Sequence, residues 1–248
     1  MSKDRKKRIL LKSVFAEGAV SDQQKGLPQP ALTKKQENKQ VIELPQPQES
    51  DIPEQDIIKI IKERRSRRHY KKEPLTLKQI SLLLWASQGV KKVIDRDGKS
   101  YATLRTVPSA GARHPFETYL LVQNSEGLKK GVYHYLALEH KLEYLFTPAD
   151  MKKKILATTF QQKFTGNAPV VFVWSVIPYR TEWRYDKLSY KPILLDAGHV
   201  CQNLYLMCET MNLGTCAIAA YNQELIDNLL KLDGEDEFVI YLAPVGKI

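Results

Sequence analysis

Cysteine is scarce in this 248-residue chain, and its three copies cannot make a disulfide framework. Cys201 and Cys208 fall two turns apart on one predicted helix, about 10 Å by the rise per residue, too far to bridge. With Cys216 they read as small buried apolar residues. No CxxC or HExxH spacing occurs, so no metal centre is expected. Long apolar runs are also missing: none approaches the length of a bilayer-spanning segment. The basic start, Met1 to Phe15, has too short and too interrupted an apolar part for a secretory signal, and a cytoplasmic location is the expectation. Aromatic residues are nearly absent from the first 50 positions, which withholds the stacking groups that single-strand nucleic-acid binders use. No internal repeat is visible.

What is present supports a substantial core, since 43% of the residues are hydrophobic. The formal net charge is +10, and residues 1–72 hold 18 Lys/Arg against 10 Asp/Glu, which places +8 of it there. Such an arm on a near-neutral body could hold nucleic acid or an acidic surface, or simply solubilise the chain. Residues 1–52 read as an extended basic arm, rich in Pro and Gln and broken by Pro28, Pro30, Pro45 and Pro47. Residues 53–248 read as one folded domain. A helix is predicted from near Pro53 to Glu63 with Asp51 as its N-cap, and another after the Thr76/Gln79 capping box, ending at Gly89. Asp95–Gly98 reads as a turn, 116–123 as a strand, and 131–136 with 141–146 as a hairpin. A helix is expected over 148–159, a central buried strand over 169–178, a short helix over 222–230 and a last strand over 237–245. Residues 179–190, aromatic and charged, suit a lid or a partner-facing loop.

The stretch Ile193–Tyr221 organises the rest. Leu194, Ala197, Val200/Cys201, Leu204, Met207/Cys208 and Met211 recur at helical spacing, and Gly214 stands where a C-terminal stop belongs. A helix over 193–213, apolar around more than half its girth, belongs at the centre of a subunit or between subunits. Its second stripe is polar: Asp196, His199, Gln202/Asn203 and Glu209/Thr210. Residues 215–220 are small and apolar, a strand on which something flat could lie.

Two further segments carry chemistry. Arg64-Arg65-Ser66-Arg67-Arg68 concentrates four guanidinium groups and a hydroxyl, a set suited to a phosphate or to a solvated surface. Pro108-Ser109-Ala110-Gly111 makes a tight loop whose backbone can approach a ligand closely, or a plain connection.

The order RRSxR, PLTLxxIxxLLWAxQG, PSAGAxxPxExY, LDAGHxxQNL, LGT and APVGK resembles the FMN-dependent nitroreductase-like superfamily, and within it the SagB-type dehydrogenases that include azoline oxidases. The likeness covers residues 55–248. It implies an α+β nitroreductase-like fold, a mixed central sheet flanked by helices, and a homodimer sharing two FMN sites, with 193–213 as the core helix. By position it assigns Arg64, Arg65 and Ser66 to the FMN phosphate and ribityl chain, and Arg68 to the pyrimidine edge of the ring. Pro108, Ser109, Ala110 and Gly111 match the loop supplied by the other subunit. Gly214, Ala217, Ile218 and Ala219 match the strand along the ring, and Lys247 a C-terminal phosphate ligand.

The implied activity is ping-pong hydride transfer through flavin N5 to or from a small organic substrate, with NAD(P)H as a possible donor. Tyr185, Tyr190 and Lys191 are the candidate acid–base residues, and His199 reads rather as a hydrogen-bonded core histidine. The azoline oxidases carry a Lys-Tyr pair as base, whereas this chain has Arg184-Tyr185 and Tyr190-Lys191, and an arginine stays protonated. A peptide dehydrogenase forming azoles with dioxygen as acceptor is therefore the alternative. A nucleic-acid-binding protein using the arm is the alternative from another class; neither nucleic acid nor membrane is expected as a partner.

Overall fold

The computed structural model describes residues 20–248 apart from Pro53. Most of the basic start of the arm, and the proline near which the first helix was expected to begin, lie outside the described residues. In chain order the strands are β1 (Val41–Glu43), β2 (Leu75–Thr76), β3 (Val90–Arg96), β4 (Lys99–Arg105), β5 (Phe116–Val122), β6 (Ser125–Glu126), β7 (Gly131–Leu136), β8 (Lys141–Phe146), β9 (Val170–Val176), β10 (Leu213–Thr215) and β11 (Phe238–Lys247). The helices are α1 (Ile57–Glu63), α2 (Leu77–Gln88), α3 (Met151–Thr158), α4 (Lys163–Asn167), α5 (Tyr179–Tyr185), α6 (Tyr190–Thr210) and α7 (Gln223–Leu230).

Seven strands form the central sheet in the order β1-β8-β7-β5-β9-β11-β10, antiparallel at each of its pairs. The one parallel pair among the described strands is the short β2–β6 contact outside that sheet. β5 and β9 are buried along their whole length because both faces of the sheet are covered. Alternation sorts their side chains. Leu120, Val122, Phe172 and Trp174 join a core with α2 and α6, while Tyr119, Leu121, Val171 and Val173 join a second core with α3 and α7. The α+β class with a helix-flanked sheet is thus borne out, but the central sheet expected to be mixed is antiparallel throughout, because its neighbouring described strands join as hairpins and antiparallel returns.

Several local expectations change. The first helix begins at Ile57, with Asp56 and not Asp51 accepting from the Ile58 amide. The long helix runs 190–210, three residues earlier at each end than expected. Asn212, at φ +53°, makes the left-handed turn expected of Gly214, which lies inside β10. Residues 215–220 hold only the end of β10 and an isolated bridge from Ile218 to Leu242. The 179–190 stretch is helical, and β3–β4 forms a two-stranded ribbon that the pattern did not reveal. The capping box at Thr76/Gln79, the 131–146 hairpin and the burial of all three cysteines hold. Burial raises the Cys201 thiol to about 12.

Residues of the arm contribute structure. β1 is an edge strand on β8, and the Lys34 ammonium lies 2.8 Å from the Glu237 carboxylate. Beneath it Glu117 is buried between Arg180 at 2.6 Å and His134 at 2.8 Å, and the Lys34 amide donates to the same carboxylate. Burial opposes charge on His134, but Glu117 and Glu143 outweigh it and raise the imidazole to about 9. A raised folded pKa stabilises fully below the unfolded value near 6.5 and is lost as pH climbs through about 9. We expect unfolding stability to fall by about 3 kcal/mol across that window. Urea titrations at pH 6 and pH 9.5 check this, and a His134→Gln variant should show a flatter profile.

Candidate active site

The arginine segment leaves α1 in an extended form and is stitched to the last strands. The Arg67 amide donates to the Thr215 carbonyl at 2.9 Å and the Lys71 amide to the Lys247 carbonyl at 2.9 Å. The Arg67 guanidinium meets the Glu209 carboxylate at 2.5 Å. Gly214 permits this closeness: a Cβ there would sit 2.5 Å from Ile248 Cγ2 and 2.9 Å from Arg67 Cβ. The glycine is therefore used to seat the arginine segment.

With Arg67 committed to packing, the other three arginines keep their charge unpaired by any described carboxylate. Arg64 lies over the Tyr205 ring at 5.2 Å and Arg68 over the Phe164 ring at 5.8 Å. Among the described residues no carboxylate pairs with Arg64, Arg65 or Arg68. Ser66 Oγ is 2.9 Å from the Tyr205 hydroxyl, which accepts the Ala217 amide at 2.7 Å. Tyr205 thus fastens the arginine segment and residues 217–219 to one point of α6. Ala217 is half-buried and Ala219 exposed, whereas Ile218 is buried in the second core. Lys247 Nζ lies 3.2 Å from the Glu73 carboxylate.

The Pro108–Gly111 loop hangs from the other end of the same helix. Ser109 Oγ donates to Asp196 at 2.6 Å and the Ala110 amide at 3.0 Å. Burial raises the Asp196 carboxyl, with these bonds opposing it. Asp196 and Tyr205 are nine residues apart, so the two anchor points lie roughly 13 Å apart along α6. Gly111, at φ +60°, faces Arg184 and Tyr185: a Cβ would fall 2.8 Å from the Tyr185 hydroxyl.

Of the candidate acid–base residues, Tyr185 alone adjoins this loop. Tyr190 and Lys191 are exposed at the start of α6. His199 is exposed with its imidazole 3.9 Å from Asp196, so the expectation of a core histidine is corrected: its position on the helix turns it outward with Leu194 and Leu195. Leu194, counted in the apolar stripe, is 60% exposed for the same reason. Asp196 and Tyr205 were missed as organisers. The isolated aspartate in an apolar helix was the available signal for the first; nothing in periodicity marked the second.

No helix among the described residues is long and apolar enough to cross a membrane, and no described group of His, Cys, Asp and Glu could hold a metal ion.

Residues 61–247 match the model of the nitroreductase family. A Methanocaldococcus jannaschii protein provisionally named a nitroreductase is 32% identical over 197 residues, 79% of this chain and 93% of that one. The microcin B17-processing protein of Escherichia coli is 27% identical over 133 residues, 52% of this chain and 49% of its own length. A crystal structure provisionally described as a nitroreductase, from Ralstonia eutropha, superposes with a TM-score of 0.68 at 29% identity, covering 89% of this chain and 94% of that one.

Proposed function

Because this chain belongs to the nitroreductase family, we propose that it is an FMN-dependent oxidoreductase acting on a small organic substrate. The observation that carries the reading is the trio Arg64, Arg65 and Arg68, unpaired by any described carboxylate and fastened through Ser66 to Tyr205. Phosphate-bearing FMN fits that donor set. Guanidinium groups take a phosphate in bidentate fashion, and the Ser66 hydroxyl adds a donor. The Thr215 hydroxyl, buried nearby without a partner, is a further polar group with unused capacity.

When bound, the flavin would supply the hydride acceptor and donor, with NAD(P)H as the reductant in a ping-pong cycle. The chain's own residues bind and orient. Arg64, Arg65 and Ser66 hold the phosphate end, and Arg68 supplies positive charge at the pyrimidine edge, where charge favours the reduced form. Gly214, Ala217, Ile218 and Ala219 provide the floor, Gly214 by seating the arginines and Ile218 by anchoring its backbone to Leu242. Lys247 adds charge at the phosphate end once it leaves Glu73. Pro108, Ser109, Ala110 and Gly111 reach a flavin held by a second copy, since within one chain they hang from the far end of α6. That separation, and the exposure of Leu194 and Leu195, support a homodimer with shared sites. Tyr185 is the favoured proton-transfer residue, with Tyr190 and Lys191 behind it.

A peptide substrate is the second reading, favoured by the likeness to the microcin-processing relative. Peptide azoline oxidation lacks its Lys-Tyr pair here.

The freshly purified protein should be yellow and release FMN, identified by mass, on heating. Mixing with NADH or NADPH in a stopped-flow cell should bleach the flavin band. A colourless protein that refuses added FMN would overturn the proposal.

A further inference from the structure

Next to the Ser109 loop lies a second group of cations that the flavin reading leaves unused. Tyr101 on β4 gathers three arginines from different elements. The Arg96 guanidinium lies 4.0 Å from its ring centroid and that of Arg113 5.1 Å. Arg184 donates to its hydroxyl at 3.2 Å, and Gln23 of the arm donates to the same oxygen at 3.0 Å. Arg113 donates to the Gly111 carbonyl at 3.0 Å and the Tyr101 carbonyl at 2.9 Å. Arg184 in turn borders Gly111, where a Cβ would meet its Cδ at 2.8 Å.

The charge balance of this group is unusual. Arg113 is 2% exposed, yet no described carboxylate pairs with it, with Arg96 or with Arg184. A buried cation without an anion carries a standing desolvation cost, and three like charges around one ring add repulsion. A solvated surface explains Arg96, which is exposed, but not Arg113. The phenol responds to the same field. Burial opposes ionisation of Tyr101, but the Gln23 bond and the charges of Arg184, Arg113 and Arg96 together hold it below its ordinary value.

We propose that Arg96, Arg113 and Arg184, gathered around Tyr101, recognise a carboxylate group of the substrate. Arg184, half-buried and bordering the loop, makes the direct contact through its planar fork. Arg113 fixes the loop through Gly111 and supplies charge from behind, and Arg96 closes the outer side. The assignment of this carboxylate to a substrate rests on the proposed function, which puts the Ser109 loop at the reaction site; the anion site itself does not.

The test titrates the full-length protein as purified with benzoate and, in parallel, with neutral benzamide, by calorimetry at fixed salt. Benzoate should bind and benzamide should not. Arg184→Gln should weaken benzoate about tenfold or more, the loss of a charge-assisted bidentate contact. Arg184→Lys, which keeps the charge and guards against misfolding, should recover only part of the affinity. Failure of benzoate to bind, equal binding of benzamide, or unchanged affinity in both Arg184 variants overturns the proposal. Flavin content of the same samples separates the two readings. A colourless protein that binds benzoate through Arg184 sinks the FMN assignment alone, and a yellow one indifferent to benzoate sinks only this inference.

Discussion

The Arg64→Ala/Ser66→Ala double variant is expected to purify without flavin. On the proposed reading each substitution removes a contact to a doubly charged phosphate, and charge-assisted hydrogen bonds are worth roughly 1.5–3 kcal/mol apiece. Together they should lower FMN affinity by about two to four orders of magnitude. The fold should survive. Arg64 is only half-buried and Ser66 exposed, and the segment stays anchored through the Arg67 amide, Glu209 and Tyr70. The check is the flavin absorbance per protein at equal concentration, with circular dichroism to show that secondary structure is intact. A double variant carrying full flavin would place the phosphate elsewhere. The Arg67→Ala variant makes the informative contrast. Arg67 is tied to Glu209, so its loss should first destabilise the chain near β10 and affect flavin only in consequence.

The second large effect is on stability. Glu117→Ala should cost about 3–5 kcal/mol, the penalty for breaking a buried pair and leaving its partners charged. Here Arg180 loses its carboxylate partner, the protonated His134 keeps only the more distant Glu143 at 3.6 Å, and the Lys34 amide loses its acceptor. Against a typical stability of about 5–15 kcal/mol, this could bring the variant to the edge of folding at 37 °C. Urea unfolding of the purified variant reads the change directly, and Glu117→Gln, which keeps hydrogen-bonding capacity, should lose less. The acid side has the opposite sign to the His134 effect. Burial opposes ionisation of Glu117, but Arg180 and His134 prevail and hold the carboxyl well below its ordinary range. Its contribution is present above about pH 4.5 and is lost as pH falls through the folded value.

How far the sequence could be read differs from element to element. The capping box at Thr76 and the hairpin over 131–146 were legible because their signals are local: a side chain meets a backbone amide three residues away, or two alternating runs face each other across a turn. The apolar run of β9 announced a strand covered on both faces for a similar reason. The end of the long helix was misplaced because Asn212, which tolerates a positive φ, took the role that glycine usually fills. The outward face of α6 was misread because a periodic pattern shows which residues share a side, not which side meets the core.

Among the candidate site residues, composition and order pointed to the arginine segment and the Ser109 loop, but only as two separate stretches of unusual residues. That Arg67 is tied down while its neighbours meet no described carboxylate follows from Glu209 and Gly214, which hold Arg67 from far along the chain. The gathering of Arg96, Arg113 and Arg184 around Tyr101 had no trace in spacing, since they come from β3, the end of the loop and α5.

By itself, then, the amino-acid order determined the class of fold, the family and the residue types of the candidate site, because helix caps, strand alternation and short motifs are written within a few neighbouring positions. Which arginines have no carboxylate partner among the described residues, which end of α6 holds each half of the candidate site, and how an arm strand extends the sheet were decided only by tertiary structure. Charge pairing and burial depend on distances between residues a hundred or more positions apart, and no local pattern encodes those distances.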